Sequence, residues 1–350
     1  MPNRTSASSA LPQEFDHAIY RALSPALARL DEIELERHFR MQGANDGQTA
    51  LVVRNRSDFV KLAATASSVL EIGPLAAPAL RGPNVRYFDV LDSAALREKA
   101  AQHGLDPEAC PSIDYVSPTG DLSVISEMFE TVFSSHVIEH QPDLVRHLAD
   151  VARLLVPGGR YFLVVPDKRY CLDHFLAEST IADVLGAHFN AARLHSATAV
   201  IRLSALTTHN EAIRHWSGDH GTPKWRKQPK LLASAYAICR TRAGTYIDTH
   251  AWQFTPTAFR EILEALFQLG AVPFEIERVY PTPRNNLEFY AVLRSVEPMP
   301  DLLDVVLPDG FNAAAYLAAN PDVAAAGVDA ATHWLEFGHA EGRKLRPEGD

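Results

Sequence analysis

Four stretches of this 350-residue chain gather residue types that bind nucleosides or move protons. VLEIGPLAAPAL (69–80) is an apolar run that ends in Glu71 and turns through Gly73 and Pro74. A nucleoside-type cofactor needs such a unit: a tight turn, backbone close to the ligand, and an acid for a charged or hydroxyl group. Glu71 would sit near a cationic cofactor, and Gly73 would permit the close approach. Asp89 and Val90 end the next apolar run, YFDV. An acid at that tip suits a bidentate hydrogen bond to ribose hydroxyls. The competing role, capping the helix that follows, fits Asp92 or Ser93 better. After a third run, Gly120-Asp121-Leu122 offers Asp121 for an adenine amino group and Leu122 for its ring, or else a solvated turn.

The fourth stretch is FETVFSSHVIEHQPDL (129–144), where an apolar run ends in Ser134, Ser135 and His136, followed by Glu139 and His140. Transfer of a group to a hydroxyl needs a base, and an ordinary imidazole titrates in the right range. His136 is the first choice, with Asp167 and His174 of PDKRYCLDHF (166–175) behind it; His140 reads as structural. Polar and aromatic residues are then mixed over a long segment: Arg169, then His209, Asn210, His215 and Trp216, then Asp248, His250 and Trp252. Indole faces stack on pyranose rings and the polar groups bond hydroxyls, so these are candidate acceptor contacts. His209, His215, Asp219, His220 and His250 could supply metal ligands. No HxxxH or HExxH spacing on one helix face supports that, so no metal is expected.

These residues need elements to hold them. Short runs rich in β-branched and aromatic residues (SSVLEIG, VRYFDV, SIDYVS, TVFSSHVI, RYFLVVP) alternate with helical patterns such as DFVKLAATA, DSAALREKAAQHG and PDLVRHLADVARLLVPGG, as βαβ units with a parallel sheet would. Residues 167–250 break the rhythm and read as a helical insert. TPTAFREILEALFQLG resumes it as a helix with a Thr cap and a Gly stop. PFEIERVY and LEFYAVLRSV follow as an antiparallel pair at the sheet edge. We expect helix over 13–42 within an N-terminal extension (1–56), with 1–12 frayed. The α/β domain spans 57–297, a Pro-rich linker 298–310, and a small helical module 311–347 with Gly stops at Gly327 and Gly338.

The order of elements, together with LEIGP, SSHVIEH and LLVPGG, resembles the class I SAM-dependent methyltransferases. LEIGP, SSHVIEH, VVPDKRYCLDHF and DTHAWQFTP together are similar to a bacterial subfamily associated with polysaccharide biosynthesis. YLAANPDVAAAG…HWLEFGHAEGR resembles a module appended to bacterial glycosyltransferases. The resemblance implies a Rossmann-like seven-stranded α/β sheet with a helical insert after the fifth strand. It also implies a SAM site from Glu71, Gly73, Asp89, Asp121 and the Ser134–His136 turn. Pro74, Leu75 and Ala76 depart from it, standing where glycines are usual. The expected activity is methyl transfer to a hydroxyl of a sugar or glycan intermediate, with N-methylation of an amino sugar or a non-catalytic scaffold as alternatives.

Composition sets outer bounds. With 33 Lys and Arg against 43 Asp and Glu, the net charge is −10, which disfavours nucleic acid as a partner. Three scattered cysteines give no disulfide framework. The first twenty residues lack an apolar signal region, and no apolar run is long enough to span a membrane. A cytoplasmic enzyme is expected, with a small-molecule or glycan acceptor and a glycan-assembly protein as the candidate partner of the C-terminal module.

Overall fold

The computed structural model describes residues 11, 15, 17–22, 25–43, 53–300 and 302–347. The chain forms two compact units, Met1–Gln268 with Val272–Pro298, and Leu269–Ala271 with Met299–Asp350. The first holds a seven-stranded sheet of β1 (Val69–Ile72), β2 (Val85–Asp89), β3 (Tyr115–Val116), β4 (Phe129–Ser135), β5 (Leu155–Pro166), β6 (Phe274–Tyr280) and β7 (Glu288–Ser295). Their order is β3-β2-β1-β4-β5-β7-β6. The first five run parallel, and β7 is antiparallel to both β5 and β6. The last two strands do pair as an antiparallel hairpin, and β7 rather than β6 lies against β5.

All four residues of β1 are buried, as a central strand covered on both faces requires. The helix Arg56–Ala63 places Phe59 against Phe162 and stacks it on Tyr290, centroids 5.0 Å apart. The helix Leu144–Arg153 buries Leu144, Leu148 and Val151, a spacing that keeps one face inward. Thr255 caps the helix Pro256–Gln268 through the Ala258 N–H, 3.2 Å away.

Several boundaries differ from expectation. The helix before β5 stops at Arg153, and the Val156–Gly159 segment joins the strand. A register shift opposite Phe129/Thr131 absorbs the extra residues. Gly159 is needed there, because a Cβ would stand 2.9 Å from the Val156 carbonyl oxygen. The third strand shrinks from 112–117 to two residues. The helix expected over 13–42 is broken into His17–Ala22, a turn at Pro25–Leu27, and Glu32–His38, which continues as a wide turn, Phe39–Gly43. The break is chemical: Asp31 and Glu34 form a capping box that starts a new helix. Tyr20, Leu27, Leu35 and Phe39 make a small core there. The frayed segment expected over 1–12 lies outside the described residues except at Leu11.

The insert (167–250) contains helices Ile181–Phe189, Ala197–Ile201, Ala212–Trp216, Lys224–Lys227 and Lys230–Thr241. Among its described residues there is no strand, only the isolated bridge Asp167–Phe254 at its start. The second unit has its own core of Tyr316, Val323 and Ala330, with Trp334 and Phe311 packed on it. Its helices are Ala313–Ala319, Pro321–Ala326 and Ala330–His333. Gly327 ends the second of them in the left-handed conformation, and Tyr316 Oη packs against the Gly338 backbone.

Candidate active site

In a parallel sheet whose strand order reverses, the crevice opens at the carboxyl ends beside the reversal. Here β1 and β4 flank that point, and a cleft of about 370 Å³ opens at the tips of β1, β2 and β4. Of the residues expected to hold a cofactor, Glu71, Gly73, Pro74, Asp89, Val90, Leu122 and Ser135 line it.

Glu71 shapes its own loop. Its carboxylate accepts the Ala79 and Leu80 N–H groups at 2.7 and 3.0 Å, and Tyr87 Oη donates to the Leu80 carbonyl. Burial pushes its pKa up to about 7 despite those two bonds. Gly73 has φ +69°, and a Cβ on it would stand 2.8 Å from Val137 Cγ2. Leu75 adopts φ +46°, a conformation glycine takes freely and leucine rarely does. The loop thus reaches a glycine-like path with few glycines, clamped by Glu71.

Asp89 is 8% exposed, and its Oδ1 accepts the Leu91 N–H at 3.0 Å. Burial raises its pKa. Phe88, Leu96 and Leu122 give the cleft an apolar side suited to a purine. Two expected cofactor contacts do not line the cleft. Asp121 is solvent-facing and caps Ser123 at 2.8 Å instead of lining the cleft. Ser134 is 1% exposed and bonds Tyr161 Oη at 2.8 Å, which in turn lies 3.1 Å from His147 Nε2.

The cleft lining also carries charged groups. His136 sits at the β4 tip with φ +54°, its Nε2 2.9 Å from Glu288 Oε2 and its Nδ1 3.5 Å from Glu139 Oε1. Burial lowers its pKa, but Glu139 and Glu288 outweigh this and hold it at about 9. The neutral imidazole base expected at His136 is therefore a paired cation near neutral pH. Arg56 donates to Glu288 at 2.9 Å and to Ser135 Oγ at 2.7 Å. His140, read as structural from sequence, also lines the cleft, with its Nδ1 2.9 Å from Asp248.

Sequence reasoning missed Arg56, Lys99, Gln141 and Glu288. Only Glu288 left a trace, as an acid opening an otherwise apolar strand.

Apart from Asp248, the insert residues lie elsewhere. Asp167 is fully buried; its carboxylate takes the Arg169 fork, the Arg169 N–H and the Thr282 hydroxyl. A carboxylate so engaged anchors the end of β5 and cannot serve as the base. Arg169 is occupied by that pairing. Trp216 stacks on Tyr170 at 4.0 Å and donates its indole N–H to the Asn286 carbonyl, so that face is closed to a sugar. Asn210 accepts the Leu172 N–H. His174, His209, His215 and His220 stack on one another, with His174 and His220 3.8 Å apart. None of these residues lines the cleft. Trp252 is 4% exposed and donates to the Gln141 carbonyl, and so ties the end of the insert to the His140 turn. His250 lies beside His140, its Nδ1 2.6 Å from Asp173.

Residues 73–163, about a quarter of the chain, match the family model described as a methyltransferase domain. No curated protein matches the chain. Similar solved structures include the CcbJ methyltransferase from Streptomyces caelestis, at 13% identity over 69% of this chain and 94% of that one, TM-score 0.36. The N-methyltransferase NodS from Bradyrhizobium japonicum WM9 aligns at 12% identity over 69% and 94%, TM-score 0.33. The mitomycin 7-O-methyltransferase MmcR aligns at 13% over 80% and 61%, TM-score 0.32. Likenesses this distant carry nothing about acceptor or chemistry. The methyltransferase-domain match runs from the Gly73 turn into β5, the stretch of the sheet that supplies most of the cleft lining.

Proposed function

We propose that the chain transfers the methyl group of SAM to a hydroxyl of a sugar or glycan intermediate. The observation that supports this reading is one cleft whose lining combines Gly73, Asp89 and Leu122 with His136, His140 and Asp248. In this reading Asp89 bonds the ribose hydroxyls, Phe88 and Leu122 hold the purine, and the Gly73 turn lies along the amino-acid end. SAM supplies an electrophilic methyl group, so the protein must mainly align an acceptor oxygen and manage its proton. A cationic His136 can donate to that oxygen but cannot take its proton without first losing its own. Polysaccharide biosynthesis, a cytoplasmic setting and a docking role for the C-terminal module belong to the same proposal, supported by the sequence resemblance. Among the described residues no helix is long and apolar enough to cross a membrane.

Calorimetric titration with SAM and S-adenosylhomocysteine should give micromolar-range affinity. Release of S-adenosylhomocysteine should then follow addition of hydroxylated sugars and sugar nucleotides. Turnover with amino sugars alone would replace this reading by N-methylation.

A further inference from the structure

We propose that Glu139, His140 and His250 form a binding site for a divalent transition-metal ion in the wall of the cofactor cleft. One ligand atom from each lies within 4.8 Å of the others. Glu139 is fully buried, yet neither carboxylate oxygen has a hydrogen-bond partner among the described residues. The nearest ring nitrogens, His136 Nδ1 and His140 Nε2, stand off at 3.5 and 3.8 Å. The His136 ring lies near enough to offset the Glu139 charge but makes no hydrogen bond to it, so both buried carboxylate oxygens are left for a bound cation to complete.

The His250 imidazole is prepared as a ligand: its Nδ1 hydrogen-bonds Asp173 at 2.6 Å, which leaves Nε2 to bind. Nδ1 of His140 lies 2.9 Å from Asp248 without hydrogen-bond geometry. A carboxylate behind the ring is the usual outer partner of a metal-bound histidine. The two rings meet edge to face at 87°, with centroids 4.8 Å apart. The Ala251 N–H donates to the Glu139 carbonyl at 2.7 Å, which fixes the His250 segment against the Glu139–His140 turn.

The other histidine group, His174, His215 and His220, is a poorer site. His174 and His220 stack face to face at 9°, so their lone pairs run side by side instead of converging. His215 Nδ1 already lies 3.1 Å from His220 Nδ1.

Two imidazoles and one carboxylate suit zinc, iron or manganese and leave coordination positions open. His140 lines the cleft, so an oxygen entering there would reach such an ion. If the acceptor is a hydroxyl, a bound ion would lower the pKa of that hydroxyl, and its proton would leave to water as the methyl group arrives. That role rests on the proposed function; the site itself does not.

The test uses the full chain, stripped with chelator, dialysed, and titrated separately with Zn(II), Mn(II) and Mg(II). One equivalent of Zn(II) or Mn(II) should bind and remain through desalting. Binding should weaken by about tenfold or more in His250→Ala, Glu139→Gln and Asp173→Asn. S-adenosylhomocysteine affinity should persist in the same preparations. His215→Ala should bind metal as the wild type does. If Glu139→Gln fails to fold, the other two variants decide. Substoichiometric binding to wild type, unchanged binding in His250→Ala and Asp173→Asn, or a loss confined to His215→Ala would overturn the site. Loss of S-adenosylhomocysteine binding by wild type would instead defeat the proposed function.

Discussion

Asp89 and Gly73 carry the sharpest consequences at the scale of single residues. Asp89→Ala removes a buried acid at the β2 tip and should weaken S-adenosylhomocysteine binding by about a hundredfold, the scale of a lost charge-assisted pair of bonds. Calorimetry checks this, and wild-type affinity would move the ribose elsewhere. Gly73→Ala forces a Cβ into a left-handed turn and against Val137. It should cost about 1–3 kcal/mol of stability and weaken the cofactor as well, read by denaturant unfolding and titration. These two residues were legible because each sits where an apolar run stops. Glu288 was not: one acid opening an apolar strand is indistinguishable in sequence from a solvated strand end. The stacked histidines and Trp216 misled in the opposite way. Their types suited a sugar, but their faces and ring nitrogens are spent on one another and on backbone carbonyls.

At the scale of elements, two buried groups set opposing pH slopes. His147, on the inner face of its helix, has its pKa lowered to about 4 by burial. Below the ordinary value of 6.5 the unfolded chain takes up a proton that the folded chain refuses. Stability therefore rises from pH 4 to 6.5. Glu71 does the reverse: the folded state holds its proton up to about pH 7, so stability falls from pH 4.5 to 7. Unfolding of His147→Gln and Glu71→Gln against pH should remove these slopes separately, each by up to about 3 kcal/mol across its window. A parallel slope in wild type and variant would show that the group titrates normally in the fold. Strand-helix alternation was readable because apolar period changes at each boundary. The ends were less so: VPGG looks like a turn, yet it lies within β5 as an irregular stretch that the register of β4 skips.

For the molecule as a whole, the two units have separate hydrophobic cores, one on the sheet and one around Tyr316. Truncation after Pro298 should therefore leave S-adenosylhomocysteine affinity within about twofold of wild type, measured by calorimetry; the sheet core lies wholly before the cut. A collapse in affinity would mean that the C-terminal unit supports the cleft. Fold class could be read from element order, but which groups share a wall could not, since Arg56, His136, Asp248 and Glu288 are brought together only by the sheet and its insert. The antiparallel return of β7 has a consequence in time as well as in space. Glu288 follows His136 by 152 residues, so during synthesis on the ribosome the nascent chain emerges with that histidine and Arg56 lacking their common counter-ion. Glu139 is already beside the histidine, but only the last stretch of the domain to be translated brings Glu288 to Arg56, and this part of the site is completed after nearly everything around it.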